Sequence, residues 1–152
     1  MLFALLACTS TGDTGTDPCG LEGEPTLRIG TGEVIFEELP EGPVELIYGP
    51  QGGYHVVLAL EATHFPLDEQ LVAGLSGTVD GVEVAHTQPF VTLRCNAAAG
   101  AQQAWNLFLI LDEGLLPEDV HGRDMAISAR LTGSTAESSA SADIEVSYPD
   151  LD

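Results

Sequence analysis

The amino-acid sequence predicts an all-β protein, an antiparallel β-sandwich of about seven to nine strands. Three observations favour this fold. Apolar and polar residues alternate from residue 26 onward, Gly, Pro, Asn and Asp cluster between the alternating runs, and no stretch keeps a helical period for three turns. A chain of 152 residues with 44% hydrophobic residues is long enough for one core of ordinary size.

The first runs place their apolar residues two positions apart. "TLRIGTG" puts Leu27 and Ile29 on one face, and "EVIFEEL" does the same for Val34 and Phe36. The later runs are "GPVELIYG", "YHVVLALEA", "LVAGLSGTVDG", "VEVAHTQPFVTLRC", "WNLFLILD", "MAISARLTG" and "SADIEVSY". Each is predicted to be a strand.

The stretch "GPQGGYHVVLAL" predicts a turn that leads into a core strand. Gly52 and Gly53 can adopt positive φ angles, which a sharp turn requires. The core face is then Tyr54, Val56, Leu58 and Leu60, and the other face is His55, Val57, Ala59 and Glu61. Because this second face is only half polar, we expect a loop or a partner to cover it.

Two further features refine the strand assignment. Asp80–Gly81, between two valines, predicts a two-residue hairpin turn. Trp105 begins the most hydrophobic run and shares its parity with Leu107 and Leu109, so we expect the indole in the core. The best helical candidate is a single turn in "PLDEQL" at 66–71.

The charge is strongly acidic, with 24 Asp and Glu against 4 Arg and no Lys, a net charge of −20. Such a surface repels phosphate, so nucleic-acid binding is not expected, and anionic bilayers would also repel it. The acidity indicates either solubility in a salty exterior or binding of divalent cations.

The first residues resemble the lipobox of bacterial lipoproteins. Apolar residues 1–7 are followed by Cys8 in "LLAC", although a basic n-region is missing. The resemblance implies cleavage before Cys8 and a diacylglycerol thioether on its sulfur. We therefore divide the chain into a signal-peptide remnant (1–7), an acylated Cys with a flexible tether (8–18) and a β-sandwich domain (19–152). The expected location is the bacterial cell envelope, at the outer membrane or cell surface.

Cys19 and Cys95 remain as a pair, which suggests a disulfide outside the cytoplasm. The bond would close a loop of 76 positions and stabilise the fold by about 4 to 5 kcal/mol in the chain-entropy model. Metal binding by Cys and His is the alternative, without a CxxC motif to support it.

The closing stretch "GRDMAISARLTGSTAESSASADIEVSYPD" resembles the last hairpin of bacterial immunoglobulin-like modules. Together with the lipobox and the Thr/Gly/Asp-rich tether, it makes the chain similar to uncharacterised lipoproteins of Gram-negative bacteria. The resemblance implies a fold and a location rather than an activity. The Cys–Trp–Cys order of antibody domains is absent, because Trp105 follows Cys95.

No pattern in the sequence indicates catalysis. The serine of "GLSGT" lacks the spacing of a nucleophile elbow, and the carboxylates are too abundant to single out a pair. A loose calcium site could use carboxylates from one acidic loop, and His55 is a weak ligand for copper or zinc. The loop carboxylates are Asp112, Glu113, Glu118 and Asp119.

The sequence thus predicts a non-enzymatic, monomeric module without a cofactor, anchored in a membrane by its N-terminal lipid. Its role is binding or structural, and a protein or glycan partner is left open. Divalent-metal binding, by calcium or by His-bound copper or zinc, is the alternative function.

The lipid anchor gives the first testable prediction. Labelled palmitate should enter the full-length protein in a bacterial host, and Cys8→Ser should abolish the labelling because the acyl chains are added to the lipobox cysteine. Gel fluorography measures the incorporated label. Unchanged labelling of the mutant would contradict the anchor.

Overall fold

The computed structural model describes Asp17, residues 19–50 and residues 52–151, and it consists of strands joined by turns and loops. Two short 3-10 turns, Pro117–Asp119 and Pro149–Leu151, are the helical segments in these ranges. The strands are β1 (Thr26–Gly30), β2 (Val44–Glu45), β3 (Ile47–Tyr48), β4 (Tyr54–Thr63), β5 (Leu71–Val79), β6 (Val82–Thr87), β7 (Phe90–Val91), β8 (Arg94–Asn96), β9 (Ala101–Ile110), β10 (Arg123–Thr132) and β11 (Glu137–Ser147).

The strands form two packed sheets, so the predicted β-sandwich is confirmed. Sheet one has the order β1-β4-β9-β8, with β3 also beside β4. Sheet two has the order β2-β11-β10-β5-β6, with β7 also beside β5. All pairs are antiparallel except that of β2 with β11.

The core lies between the sheets and is built by the alternation that the sequence displays. Along β5 buried and half-buried residues alternate at every position, and β10 alternates in the same way from Met125 to Leu131. The largest fully buried side chains include Phe65, Leu46 and Met125. The predicted hairpin is also confirmed, because Asp80 and Gly81 both have positive φ angles between paired Val79 and Val82.

The two sheets are joined at two corners. Residues 44–48 pass from β2 in sheet two to β3 in sheet one, and the Leu46 N–H donates to the carbonyl oxygen of Ser147 at 2.7 Å. On the other side, an isolated bridge pairs Ala85 with Leu111, and the Asp112 N–H donates to the Val84 oxygen at 2.9 Å. Such corners are where chains of a sandwich change sheets.

The strand pairings define two ends of the sandwich. At the tip, His55 lies opposite Ile110 in sheet one, and the Asp80–Gly81 hairpin closes sheet two. At the tether end, Ala62 lies opposite Gln102 and Thr132 opposite Glu137. A strand of ten residues separates these ends by about 30 Å.

The predicted strand "EVIFEEL" is wrong. This segment bends, with Thr31 and Glu37 as its one bridge, and the Val34 side chain is 75% exposed. The loop instead crosses the outer face of sheet one, where the Thr31 hydroxyl donates to the Val57 carbonyl oxygen at 2.9 Å. It thereby covers Val57 and Ala59, as expected for the half-polar face of β4. The turn proposed at 66–71 is also not helical.

The prediction that Trp105 lies in the core is wrong because β9 contains a β-bulge. Leu58 pairs with Leu107 and Leu60 with Ala104, so Trp105 and Asn106 together face one residue of β4. Asn106 has a φ of 57°, and its N–H donates to the Gly32 oxygen at 2.9 Å. The extra residue inverts the parity of the strand, which leaves Trp105 half-buried outside the core cluster.

The disulfide between Cys19 and Cys95 is present, with a Cα–Cα distance of 5.6 Å. It attaches the segment before β1 to the short edge strand β8 at the tether end. Closing this loop is expected to stabilise the domain because it lowers the conformational entropy of the unfolded chain.

The carboxamide of Gln102 is fully buried and joins three segments at the tether end. Its oxygen accepts the Phe65 N–H at 2.9 Å, and its nitrogen donates to the carbonyl oxygens of Phe65 at 2.7 Å and Cys19 at 3.1 Å. No buried side-chain nitrogen or oxygen of the described residues lacks a hydrogen-bond partner. The Gln102 side chain therefore makes the hydrogen bonds that water would otherwise make to the loop after β4.

The predicted lipidation site, Cys8, lies outside the described residues. Within the described ranges, no helix has the length and apolar character needed to cross a bilayer.

Gln102 gives a prediction about stability. Gln102→Leu keeps the size of the side chain but leaves three buried backbone groups without a partner, each worth about 1 to 3 kcal/mol. We expect the free energy of unfolding, measured by urea titration with the disulfide intact, to fall by about 3 kcal/mol. The same change at exposed Gln88 should alter it by less than about 0.5 kcal/mol. Equal losses in the two variants would contradict the role of Gln102.

Candidate functional site

The tip of sheet one carries a distal patch, defined as His55, Phe108 and Ile110. These side chains come from β4 and β9 and lie on the outer face of the sheet, and His55 pairs with Ile47 on one side and Ile110 on the other. Phe108 and Ile110 are exposed. Tyr48 is 59% exposed, but it lies opposite Tyr54, whose side chain packs against the core, and it therefore faces the other side of the sheet. The patch borders a hollow of about 170 Å³ whose lining is otherwise glycine and proline.

Glycines in the turn between β3 and β4 create this hollow. Gly52 and Gly53 have φ angles of 81° and 102°, as the sequence predicts, and the Gly49 N–H donates to the Gly53 oxygen at 2.9 Å. A Cβ atom on Gly49 would lie 3.3 Å from the His55 ring. The absence of side chains at Gly49, Gly52 and Gly53 therefore lets the turn approach the imidazole and leaves the patch open.

The His55 ring is half-buried and stacks on Phe108, with 4.5 Å between ring centroids. Burial lowers the pKa of His55 below its ordinary value of 6.5, because the charged imidazolium loses hydration. The patch is therefore apolar and uncharged at neutral pH. The contact with outward-facing Phe108 confirms that His55 points away from the core face of β4.

Beside the patch lies a larger tip hollow of about 610 Å³, which shares Gly52, Gly53 and Ile110 with the first. His86, Asp112 and Glu113 contribute to its wall. The structure thus brings two of the four predicted loop carboxylates close to the tip, while His55 faces the neighbouring hollow.

The other two predicted metal ligands lie in the Pro117–Asp119 turn. The Asp119 side chain accepts the Leu116 N–H at 2.8 Å, which fixes the start of that turn, and Glu118 is exposed. Among the described residues, no group of three or more His, Cys, Asp or Glu side chains is placed to hold a metal ion. The hypothesis of a calcium or His-bound metal site stays a prediction without such a cluster.

A proximal patch, defined as Val34, Ile35, Phe90, Arg94 and Trp105, lies where β8, β9 and the loop after β1 adjoin β7 of sheet two. Two hollows of about 300 and 290 Å³ meet here, and Arg94 and Trp105 line both. The Arg94 guanidinium lies 5.5 Å from the centroid of the Trp105 ring. Phe90 and Val34 are 67% and 75% exposed. Aromatic, aliphatic and cationic groups therefore share one surface.

Arg94 differs from the other arginines in its partners. Arg28 pairs with Glu38 and Glu61, Arg123 with Asp80 and Arg130 with Glu137. Of the four, Arg94 is the one that contacts no carboxylate within residues 19–50 and 52–151. Its charge is therefore available on a surface that is otherwise strongly acidic.

Arg94 lies on the edge strand β8 of sheet one, in a row of side chains that crosses four strands. Arg28, Glu61, Gln103 and Arg94 face one another in register across β1, β4, β9 and β8. The Gln103 nitrogen donates to Glu61 at 2.9 Å, and its oxygen accepts from Asn96 at 3.2 Å. Since Arg28 and Gln103 satisfy the Glu61 carboxylate, that carboxylate does not neutralise Arg94.

Comparison with family models, curated proteins and solved structures finds no match to this chain.

Sequence reasoning missed both patches, with partial signals for each. The glycines at 52 and 53 indicated an unusual approach to His55, but the pairing of Phe108 with that ring depends on the bulge. Arg94 directly precedes Cys95 at the end of a predicted strand, and no sequence pattern distinguished it. Its distinction emerges only when the partners of the other arginines are known.

His55 gives a prediction about pH. Because its pKa is lowered in the folded state, the unfolded chain binds a proton more readily, and stability should decrease as pH falls through about 6.5. His55→Gln should flatten this slope in urea titrations at several pH values. If the same change at exposed His86 flattened it equally, the assignment to His55 would be wrong.

Proposed function

We propose that this protein is a non-enzymatic binding module of the bacterial cell envelope. It is held to a membrane by a lipid on Cys8 and binds a partner protein through its distal patch. The observation that carries the proposal is the set of exposed aromatic and aliphatic side chains around the glycine turn at the tip.

An exposed apolar patch on an acidic domain favours binding over a purely structural role. A spacer or coat protein needs only a solvated surface, and 24 acidic residues supply one. Phe108 and Ile110 instead expose large apolar groups to solvent side by side at one end. Contiguous groups of this kind mark interaction surfaces, and tyrosine and phenylalanine are enriched where partners bind.

The border of the patch indicates the chemistry of the partner. Exposed Asp112 and Glu113 line the hollow that adjoins the patch. A partner would therefore present an apolar contact with basic groups around it, and the charge of the whole domain would speed their encounter. Because His55 at the centre of the patch is uncharged, binding of a partner does not require the desolvation of a charge there.

The position of the patch agrees with this function. The disulfide fixes the end of the tether at the opposite end of sheet one, so the patch points away from the anchor. Six to eight residues of β9, about 20 to 26 Å, separate Gln102, which lies opposite Cys95, from Phe108 and Ile110.

Site-specific photo-crosslinking in the native bacterium tests the proposal. A photoreactive amino acid at position 108 should give a defined adduct with one envelope protein, because the Phe108 side chain is exposed within the patch. The same amino acid at Thr135, in the exposed turn between β10 and β11 at the tether end, serves as the matched control. Mass spectrometry identifies the adduct.

The adduct should weaken at high salt and disappear in Ile110→Ser, since this change removes an exposed apolar side chain from the patch. No adduct at position 108, or equal adducts at positions 108 and 135, would contradict binding through the distal patch.

A further inference from the structure

We infer that the proximal patch docks onto the surface of the bilayer that holds the lipid, with Trp105 in the headgroup region and Arg94 at lipid phosphate. This inference rests on the proposed anchor at Cys8. It does not depend on the identity of the partner at the tip.

The patch adjoins the point where the tether joins the domain. Cys95, which is bonded to Cys19, lines the same hollow as Arg94 and Trp105. Ten residues separate Cys8 from Cys19, and a coil of that length spans roughly 17 Å. The bilayer is therefore within reach of the proximal patch, whereas Phe108 and Ile110 of the distal patch lie about 10 to 17 Å further along β9 from Trp105.

The chemistry of the patch fits an interface between lipid and water. Tryptophan concentrates at the headgroup level, because the ring is largely apolar and its N–H can remain hydrated. Phe90 and Val34 expose aromatic and aliphatic groups that would otherwise stay in water. Arginine beside such groups extends its charge toward the phosphates while its aliphatic stem covers the ring.

The charge distribution permits docking despite the net charge of −20. Neither hollow of the patch is lined by a carboxylate, and Arg94 is the one charged residue in both linings. The acidic residues elsewhere repel an anionic surface, but physiological salt screens charges beyond about 8 Å. The proximal patch is thus the part of this end that anionic headgroups would attract.

Docking would also bury a surface that the proposed function leaves unused. Val34 and Ile35 belong to the loop that covers sheet one, yet both side chains point into solvent beside Trp105.

The experiment uses two features of the chain, a single tryptophan and a single cysteine outside the disulfide. The full-length protein is coupled through Cys8 to a maleimide-headgroup lipid in vesicles of phosphatidylethanolamine and phosphatidylglycerol. This coupling replaces the natural acylation, so an error about that acylation cannot cause a negative result. Because Trp105 is the only tryptophan, its emission reports on the proximal patch alone.

We expect the emission of Trp105 to shift to shorter wavelength on coupling and to be quenched by lipids brominated near the headgroup. Arg94→Gln should reduce the docked fraction roughly fivefold at limiting occupancy, the factor that one basic residue contributes at an anionic surface. Phe90→Ser should reduce it as well. Arg130→Gln, an exposed arginine on sheet two, is the matched control and should leave the quenching unchanged.

An unshifted emission without quenching in the coupled protein would overturn the inference. So would an emission that responds to soluble glucuronate without vesicles and not to the bilayer, since this would make the proximal patch a site for acidic sugars. Crosslinking at position 108 is a separate measurement, so failure of docking and failure of binding at the tip can be distinguished.

Discussion

The buried carboxamide of Gln102 is the interaction on which the arrangement of this protein depends. Three chain segments meet at it: the segment before β1, the connection from β4 to β5, and β9 itself. The connection must cross from sheet one to sheet two through Phe65, which is fully buried, so its backbone groups cannot bond to water. Gln102 satisfies both of them and also donates to the carbonyl oxygen of Cys19 in the segment before β1. Together with the disulfide to Cys95, which lies directly opposite Gln102 on β8, it fixes where the N-terminal segment joins the sandwich.

Much of this fold could be predicted from the sequence, because the signals are local. The alternation in β4, β5 and β10, the Asp80–Gly81 turn and the pairing of the two remaining cysteines each depend on residues or counts that the chain displays directly. The bulge in β9 could not be predicted in this way. Leu107 and Leu109 share the parity of Trp105, and only the register against β4 shows that an extra residue interrupts it. "EVIFEEL" misled for a related reason, since a loop that covers a half-apolar sheet face needs the same apolar residues as a strand.

The candidate surfaces follow from those two departures. The bulge moves Trp105 out of the core to a position beside Arg94, and the bent loop exposes Val34 and Ile35 next to both. After the bulge the outward positions of β9 are Phe108 and Ile110, which reach His55 at the tip. One extra residue in one strand therefore sets the composition of both ends of sheet one. The sequence carried all of these residues, but their grouping is a property of register, and register depends on pairing between distant segments.

The orientation of the strands has a mechanical consequence. A partner held at the tip and a lipid held beyond Cys19 would pull on the domain from opposite ends, parallel to the long strands β4 and β9. Hydrogen bonds between strands run perpendicular to that direction, so the load would be shared by the whole ladder as a sliding force rather than opening it one bond at a time. The disulfide passes the force from Cys19 to β8 at the point of entry, so β1 would not peel from the edge of sheet one. Such a domain would act as a stiff link that resists stretching between a membrane and the partner bound at the tip.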